Sequence, residues 1–310
     1  MCRYSDQTNI MLVVPSLSTD LSAWSTTKSW APYIHLVGEA NPSLNAATCL
    51  YFDGISPTLE LGQTLDFVGN WFLKFGLKPK VLLISGDREV LAARYSLRTL
   101  KEAASDSKVR EAISSIQVFP EGRATNDATW QPSIYAAISL RQPVSAFFSI
   151  NATLDEQDVM GLLLQGDRIF DSCAAYGFLF PAWFSPLGYY WGISVEPSYR
   201  ALGAWGARES RRLSHWRDNA EIGIQQDGTR RFHRVGDGYL RDVYPLMLLS
   251  EGHLARRVGD GTLMDALPSL GHVSDGGAKT CWRVGNESLV RAQQLLDAND
   301  ITLSGRRLEL

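Results

Sequence analysis

Leu61, Leu65, Val68, Phe72 and Phe75 recur at spacings of four and three through SPTLELGQTLDFVGNWFLKFG. Such a stripe has to be pressed against another apolar layer, so the spacing predicts a helix with one buried face. Ser56 is its expected N-cap, Pro57 sits where a first helical residue tolerates a missing N–H, and Gly76 supplies the stop. ATCLYFDG before it reads as a strand. KPKVLLIS after it is continuously apolar, as expected of a strand in the middle of a sheet covered on both sides.

The rest of the chain repeats this alternation. A second helix is expected from about Leu97 to Ile116, leading into IQVFPEG. SIYAAISLR and SAFFSIN alternate apolar with small or polar residues around Gln142-Pro143-Val144 and read as an antiparallel hairpin. In TLDEQDVMGLLLQGDRIFDSCA, Thr153 and Glu156 stand three apart as a capping box ahead of an apolar stripe, which predicts another helix. YGFLFPAWF and GYYWGISV read as strands, ARESRRLSHWRD as a helix, and GTRRFHR as a short basic segment. AKTCWRV, NESLVRAQQLLDAN from Asn286, and ITL close the chain as strand, helix and strand. The expected class is α+β, with mixed or antiparallel sheets and helices packed on one face. Residues 1–45, rich in Ser, Thr, Asn and Pro, read as a lead-in segment. Residues 46–130 and 131–310 read as N-terminal and C-terminal α+β halves, or as one continuous domain.

Composition excludes more than it selects. A net charge of −3 over 310 residues argues against any general attraction to nucleic acid or anionic lipid. Cys2, Cys49, Cys173 and Cys281 stand far apart, as expected of reduced thiols. MCRYSDQTNIMLVVPSLS lacks the form of a secretory leader, and no window is apolar enough to span a bilayer, so the expected compartment is the cytoplasm.

No stretch spells out a reaction. Asp237 and Asp260 sit in two near-copies of one phrase, RVGDGYLRDVYPL from Arg234 and RVGDGTLMDALPSL from Arg257. Neither supplies the alternating oxygens and distal Glu of a calcium loop, nor a complete G-x-G-x-x-G, so both read as turns that begin short helices with Leu240 and Leu263 inward. Histidine spacing predicts no metal site, no G-x-S-x-G elbow is present, and no cofactor is expected. Strand-end acids such as Asp53, Asp87 and Glu89 keep a hydrolase open as an alternative. Arg208, Arg211, Arg212, Arg217, Arg230, Arg231, Arg234, Arg241, Arg256 and Arg257 keep a nucleic-acid surface open, although acids are interleaved with them. Tyr189, Tyr190 and Trp191, read on a strand, are expected to turn at least one ring outward. Exposed aromatic residues of this kind are favoured anchors at protein interfaces.

YGFLFPAWFSPLGYYWGISV, YLRDVYPLMLLSEGHLARRV and KTCWRVGNESLVRAQQLLDANDITL together resemble the immunity protein 52 family of bacterial toxin–immunity systems, over roughly residues 150–303. Where that family carries a W-x-G element, Trp191 and Gly192 are adjacent here. The resemblance implies a non-enzymatic α+β protein that binds and silences a cognate toxin, a nuclease of the Tox-REase-5 class often delivered by a type VI secretion system. It implies no catalytic residues. The surface expected to meet such a partner comprises Tyr189, Tyr190, Trp191, Asp218, Glu221, Asp237 and Asp260.

Overall fold

The computed structural model describes residues 46–55, 59–79, 81–86, 90–91, 98, 100, 102, 113–120, 133–140, 144–181, 186–190, 211–216, 221–224, 230–232 and 238–305. Its strands are β1 (Ala46–Asp53), β2 (Val81–Gly86), β3 (Val90–Leu91), β4 (Ile113–Phe119), β5 (Ile134–Ser139), β6 (Ser145–Ile150), β7 (Ala174–Pro181), β8 (Glu221–Ile224), β9 (Arg230–Phe232), β10 (Leu246–Leu249), β11 (Arg257–Val258), β12 (Gly261–Thr262), β13 (His272–Asp275) and β14 (Thr280–Arg283). Its helices are α1 (Leu61–Lys74), α2 (Glu156–Phe170), α3 (Pro186–Tyr190), α4 (Glu251–Leu254), α5 (Leu263–Ala266) and α6 (Asn286–Ala298), with residues 211–216 also helical. Ten strands form one antiparallel sheet in the order β13-β14-β10-β7-β1-β6-β5-β4-β2-β3. The sheet runs unbroken across the boundary read near residue 130.

The α+β class stands, but the layering differs from the expectation of helices on one face. Successive residues of a strand point to opposite faces, and the central strands are apolar on both. In β1, Ala47, Cys49 and Tyr51 enter one core while Ala46, Leu50 and Phe52 enter the other. On the Phe52 side lie α1, with Leu61, Leu65, Val68 and Phe72, and α2, with Val159, Leu163 and Phe170. On the Tyr51 side lie α3, α5 and α6 with the 211–216 segment, through Tyr189, Leu263, Leu296 and Trp216.

Several local expectations are corrected. The first helix starts at Leu61 with Glu60 at its cap, while Ser56 and Pro57 lie outside the described residues. Strand β2 stands second from the sheet edge instead of in the middle. Residues 113–119 form β4, so no helix reaches Ile116. The N-cap of α2 is Asp155, whose carboxylate accepts the Asp158 N–H at 2.8 Å. Thr153 cannot take that role because the chain is pinned just before it. Thr48 Oγ1 donates to the Ala152 carbonyl at 2.6 Å and accepts the Leu154 N–H at 3.0 Å, so the helix turns in only at Asp155. Of the paired phrases, the second makes a hairpin with Gly259 (φ +59) in its two-residue turn and then α5, capped by Thr262 and Asp265. Among the described residues of the first, from Gly238 on, no helix starts: Leu240 is buried in a parallel bridge to Thr302.

Candidate interaction surface

The expected surface is only partly where the sequence put it. Tyr189 and Tyr190 are on α3, not a strand, and are 7% and 3% exposed, so neither is available to a partner. The Tyr189 and Tyr244 hydroxyls are hydrogen-bonded at 2.9 Å, as are those of Tyr190 and Ser145 at 3.0 Å, and the Tyr190 ring stacks on Phe147. Trp191, Asp218 and Asp237 lie outside the described residues, as does the side chain of Glu221 at the start of β8. Asp260 is exposed at the tip of the β11–β12 hairpin.

The tyrosines instead enclose a cation. The Arg241 guanidinium lies 3.8 Å from the Trp216 ring centre, 4.6 Å from Tyr189 and 4.9 Å from Tyr51, and it donates to the Tyr189 and Tyr190 carbonyls. Its neighbour Asp242, also buried, accepts from Arg212 Nε at 3.0 Å and from the Val243 N–H at 2.7 Å, while Arg212 Nη1 reaches Asp297 at 2.7 Å. Arg256 lies over the Tyr239 ring at 4.1 Å. The nucleic-acid alternative needed the arginines between 208 and 257 to make one positive face. Among the described residues, Arg241 and Arg212 are turned inward onto aromatic rings, carbonyls and carboxylates.

Two buried groups near this core titrate in opposite senses. Burial pushes the Asp53 carboxyl up from 3.8 to about 6, against the pull of Arg241, the Tyr51 hydroxyl and the Gly54 N–H at 3.0 Å. Burial pushes His253 down from 6.5 to about 4, with Lys279 and Arg256 adding to the effect and the Tyr239 carbonyl opposing it. That carbonyl can only accept, so His253 Nε2 carries the proton, and Nδ1 accepts from the Ser250 hydroxyl at 2.8 Å.

For Asp53 the folded chain holds its proton more tightly than the unfolded chain does. Its stabilising contribution is therefore present in acid and lost as pH rises through about 4 to 6. For His253 the proton is held less tightly, so the contribution is present near neutrality and lost as pH falls from 6.5 to about 4. Each is worth roughly 3 kcal/mol, and in the wild type they oppose one another. Urea midpoints measured across this window should climb more steeply with pH in Asp53→Asn than in wild type. In His253→Gln the slope should tilt the other way, and parallel curves for all three chains would contradict these assignments.

Two open hollows lie on the other face. Helix α2 is tied to the β13–β14 hairpin at two points: Arg283 Nη1 donates to Glu156 at 2.9 Å, and buried Lys279 Nζ reaches both Asp167 oxygens at 2.7 and 2.8 Å. Between the ties a cleft of about 800 Å³ opens, floored by Met160, Leu164 and Cys281 and walled by His272 and Ser274 of the edge strand. A second hollow of about 440 Å³ opens on the α1 side of α2, where Lys74 pairs with Asp158 at 3.1 Å. Asp155, Gln157 and Gly161 border both. The sequence reading assigned none of these residues to a site. Gly161 was the available signal, because a glycine in the interior of a 15-residue helix costs about 0.5–1 kcal/mol relative to alanine. Gly166 on the same helix has a structural reason, since a Cβ there would meet the Phe52 ring at 2.3 Å, whereas a Cβ at Gly161 meets nothing within 4 Å.

Among the described residues no group of three or more His, Cys, Asp or Glu is set to hold a metal ion, and no helix is long and apolar enough to cross a membrane. Among the described residues, Cys49, Cys173 and Cys281 form no disulfide. No family model matches the chain, and no curated protein does. Among solved structures, the chain is similar to a Pseudomonas aeruginosa T6SS protein at 16% identity, over 93% of this chain and 78% of that one, with a TM-score of 0.45.

Proposed function

We propose that this chain is an immunity protein: it binds a cognate bacterial toxin, a type VI secretion nuclease of the Tox-REase-5 class, and neutralises it by steric occlusion without breaking or making bonds. The pattern over residues 150–303 suggests the family. The observation that carries the binding reading is the pair of hollows flanking Gly161, whose walls are held in place by ion pairs before any partner arrives. A surface shaped in advance loses little conformational entropy on association. Expressing the adjacent gene with and without this chain tests the reading, which expects that gene to encode the toxin. Co-expression should restore growth and intact DNA, and continued DNA breakage despite soluble protein would contradict it.

The competing hydrolase has Asp53 as its candidate, since burial raises its pKa to about 6, but Asp53 is 3% exposed and borders neither hollow. Asp53→Asn separates the two. Rescue survives it if the protein acts by occupancy, and is lost if Asp53 is catalytic.

A further inference from the structure

We infer that the partner docks with a basic amphipathic helix that crosses α2 at Gly161 and sends side chains into the hollows on either side. This rests on the binding reading above. A helix is favoured because two helices approach to a distance set by the side chains at their crossing point, and α2 offers there a residue with no side chain and open space. The apolar requirement comes from Met160 and Leu164 on the cleft floor and from Leu73, which is 57% exposed and adjoins Lys74 at the other hollow. The charge follows from the rim. Asp155, Glu156 and Asp158 face Lys74 and Arg283, and both cations are already ion-paired, which leaves an excess of negative charge. Arginines or lysines flanking an aliphatic residue complement that rim.

The test titrates the toxin identified by that rescue, as a catalytically dead variant, into wild type and into Gly161→Phe by calorimetry. Gly161→Gln serves as a second variant that fills the crossing point with a good helix former. Thermal melting confirms that both variants fold, as the empty space at Gly161 leads one to expect. In parallel, labelled Leu/Lys and Leu/Glu helical peptides are titrated into the same three chains. The inference expects toxin affinity to fall at least about tenfold in both variants, and the Leu/Lys peptide to compete with toxin while the Leu/Glu peptide does not. Equal toxin affinity for all three chains would overturn the inference and leave the immunity reading standing. No toxin binding to wild type would sink the immunity reading, and the peptides then decide the site: Gly161-sensitive binding of Leu/Lys upholds a basic-helix site, and its absence overturns it. A wild-type dimer that Gly161→Phe splits into monomers would assign the hollows to a second copy of this chain and overturn the inference.

Discussion

Lys279→Met should lower the unfolding free energy by about 3–5 kcal/mol, because it strands a carboxylate that is only 8% exposed. Asp167 is buried and receives both contacts of Lys279 Nζ, together with the Ser172 hydroxyl at 2.6 Å. Once the ammonium is gone, a single hydroxyl is left to compensate a full charge. The same physics makes the double variant informative. Two buried charges that leave together remove their own desolvation cost, so Lys279→Met with Asp167→Leu should recover to within about 1 kcal/mol of wild type. Chemical denaturation of the two single variants and the double variant measures this. Near-additive losses would mean that the pair is less isolated from solvent than its burial implies. The tie also joins the β13–β14 hairpin to the C-terminal end of α2, so Lys279→Met should speed amide exchange in β13 more than in β1.

The second large effect is expected from Arg241→Met, at about 3–5 kcal/mol near neutral pH. Methionine keeps much of the volume and still packs on Tyr51, Tyr189 and Trp216, so packing accounts for little of the loss. The Tyr189 and Tyr190 carbonyls lose their charged donor, and Asp53 loses the nearest cation that lowers its proton affinity. Without that cation the Asp53 carboxyl should take up a proton at higher pH than about 6, and once protonated it no longer carries an unpaired buried charge. The cost of Arg241→Met should therefore shrink as the solution is acidified, and adding Asp53→Asn should recover part of it at pH 7. A loss that is the same at every pH would show that Asp53 and Arg241 are not coupled.

These energetic centres were hard to read from the sequence, for different reasons. Helices α1, α2 and α6 follow from local period, because each buries a face that its own spacing defines, and strands β1, β5, β6, β7 and β14 follow from short apolar runs bounded by turn residues. The layering needed one more inference: strands such as AATCLYFD that are apolar at both parities must be covered on both sides. Residues 98, 100 and 102 are helical as expected, but the expected end of that helix at Ile116 was wrong: Ile113 and Ile116 fit a helical spacing, whereas the β-branched content of ISSIQVF favours the strand that forms. Tyr189 and Tyr190 were placed on a strand despite Pro186, which opens α3 as a first helical residue. In a short helix both rings can lean toward the sheet, where Tyr189 lies against Arg241 and Tyr190 stacks on Phe147. Nothing in an arginine-rich stretch distinguishes Arg241 from its exposed neighbour Arg257, since the rings that accept it come from β1, α3 and the 211–216 segment. The hollows around Gly161 were equally invisible, because they depend on how α1, α2 and the β13–β14 hairpin are spaced across the sheet.

Occupancy and turnover differ in stoichiometry, and that difference gives the most direct measurement of the central claim. Residual nuclease activity of the purified toxin should fall in proportion to added protein and reach zero at one equivalent per toxin, with no dependence on preincubation time once binding is complete. Inactivation that continues with time at a small fraction of an equivalent would contradict the account and make this protein a catalyst.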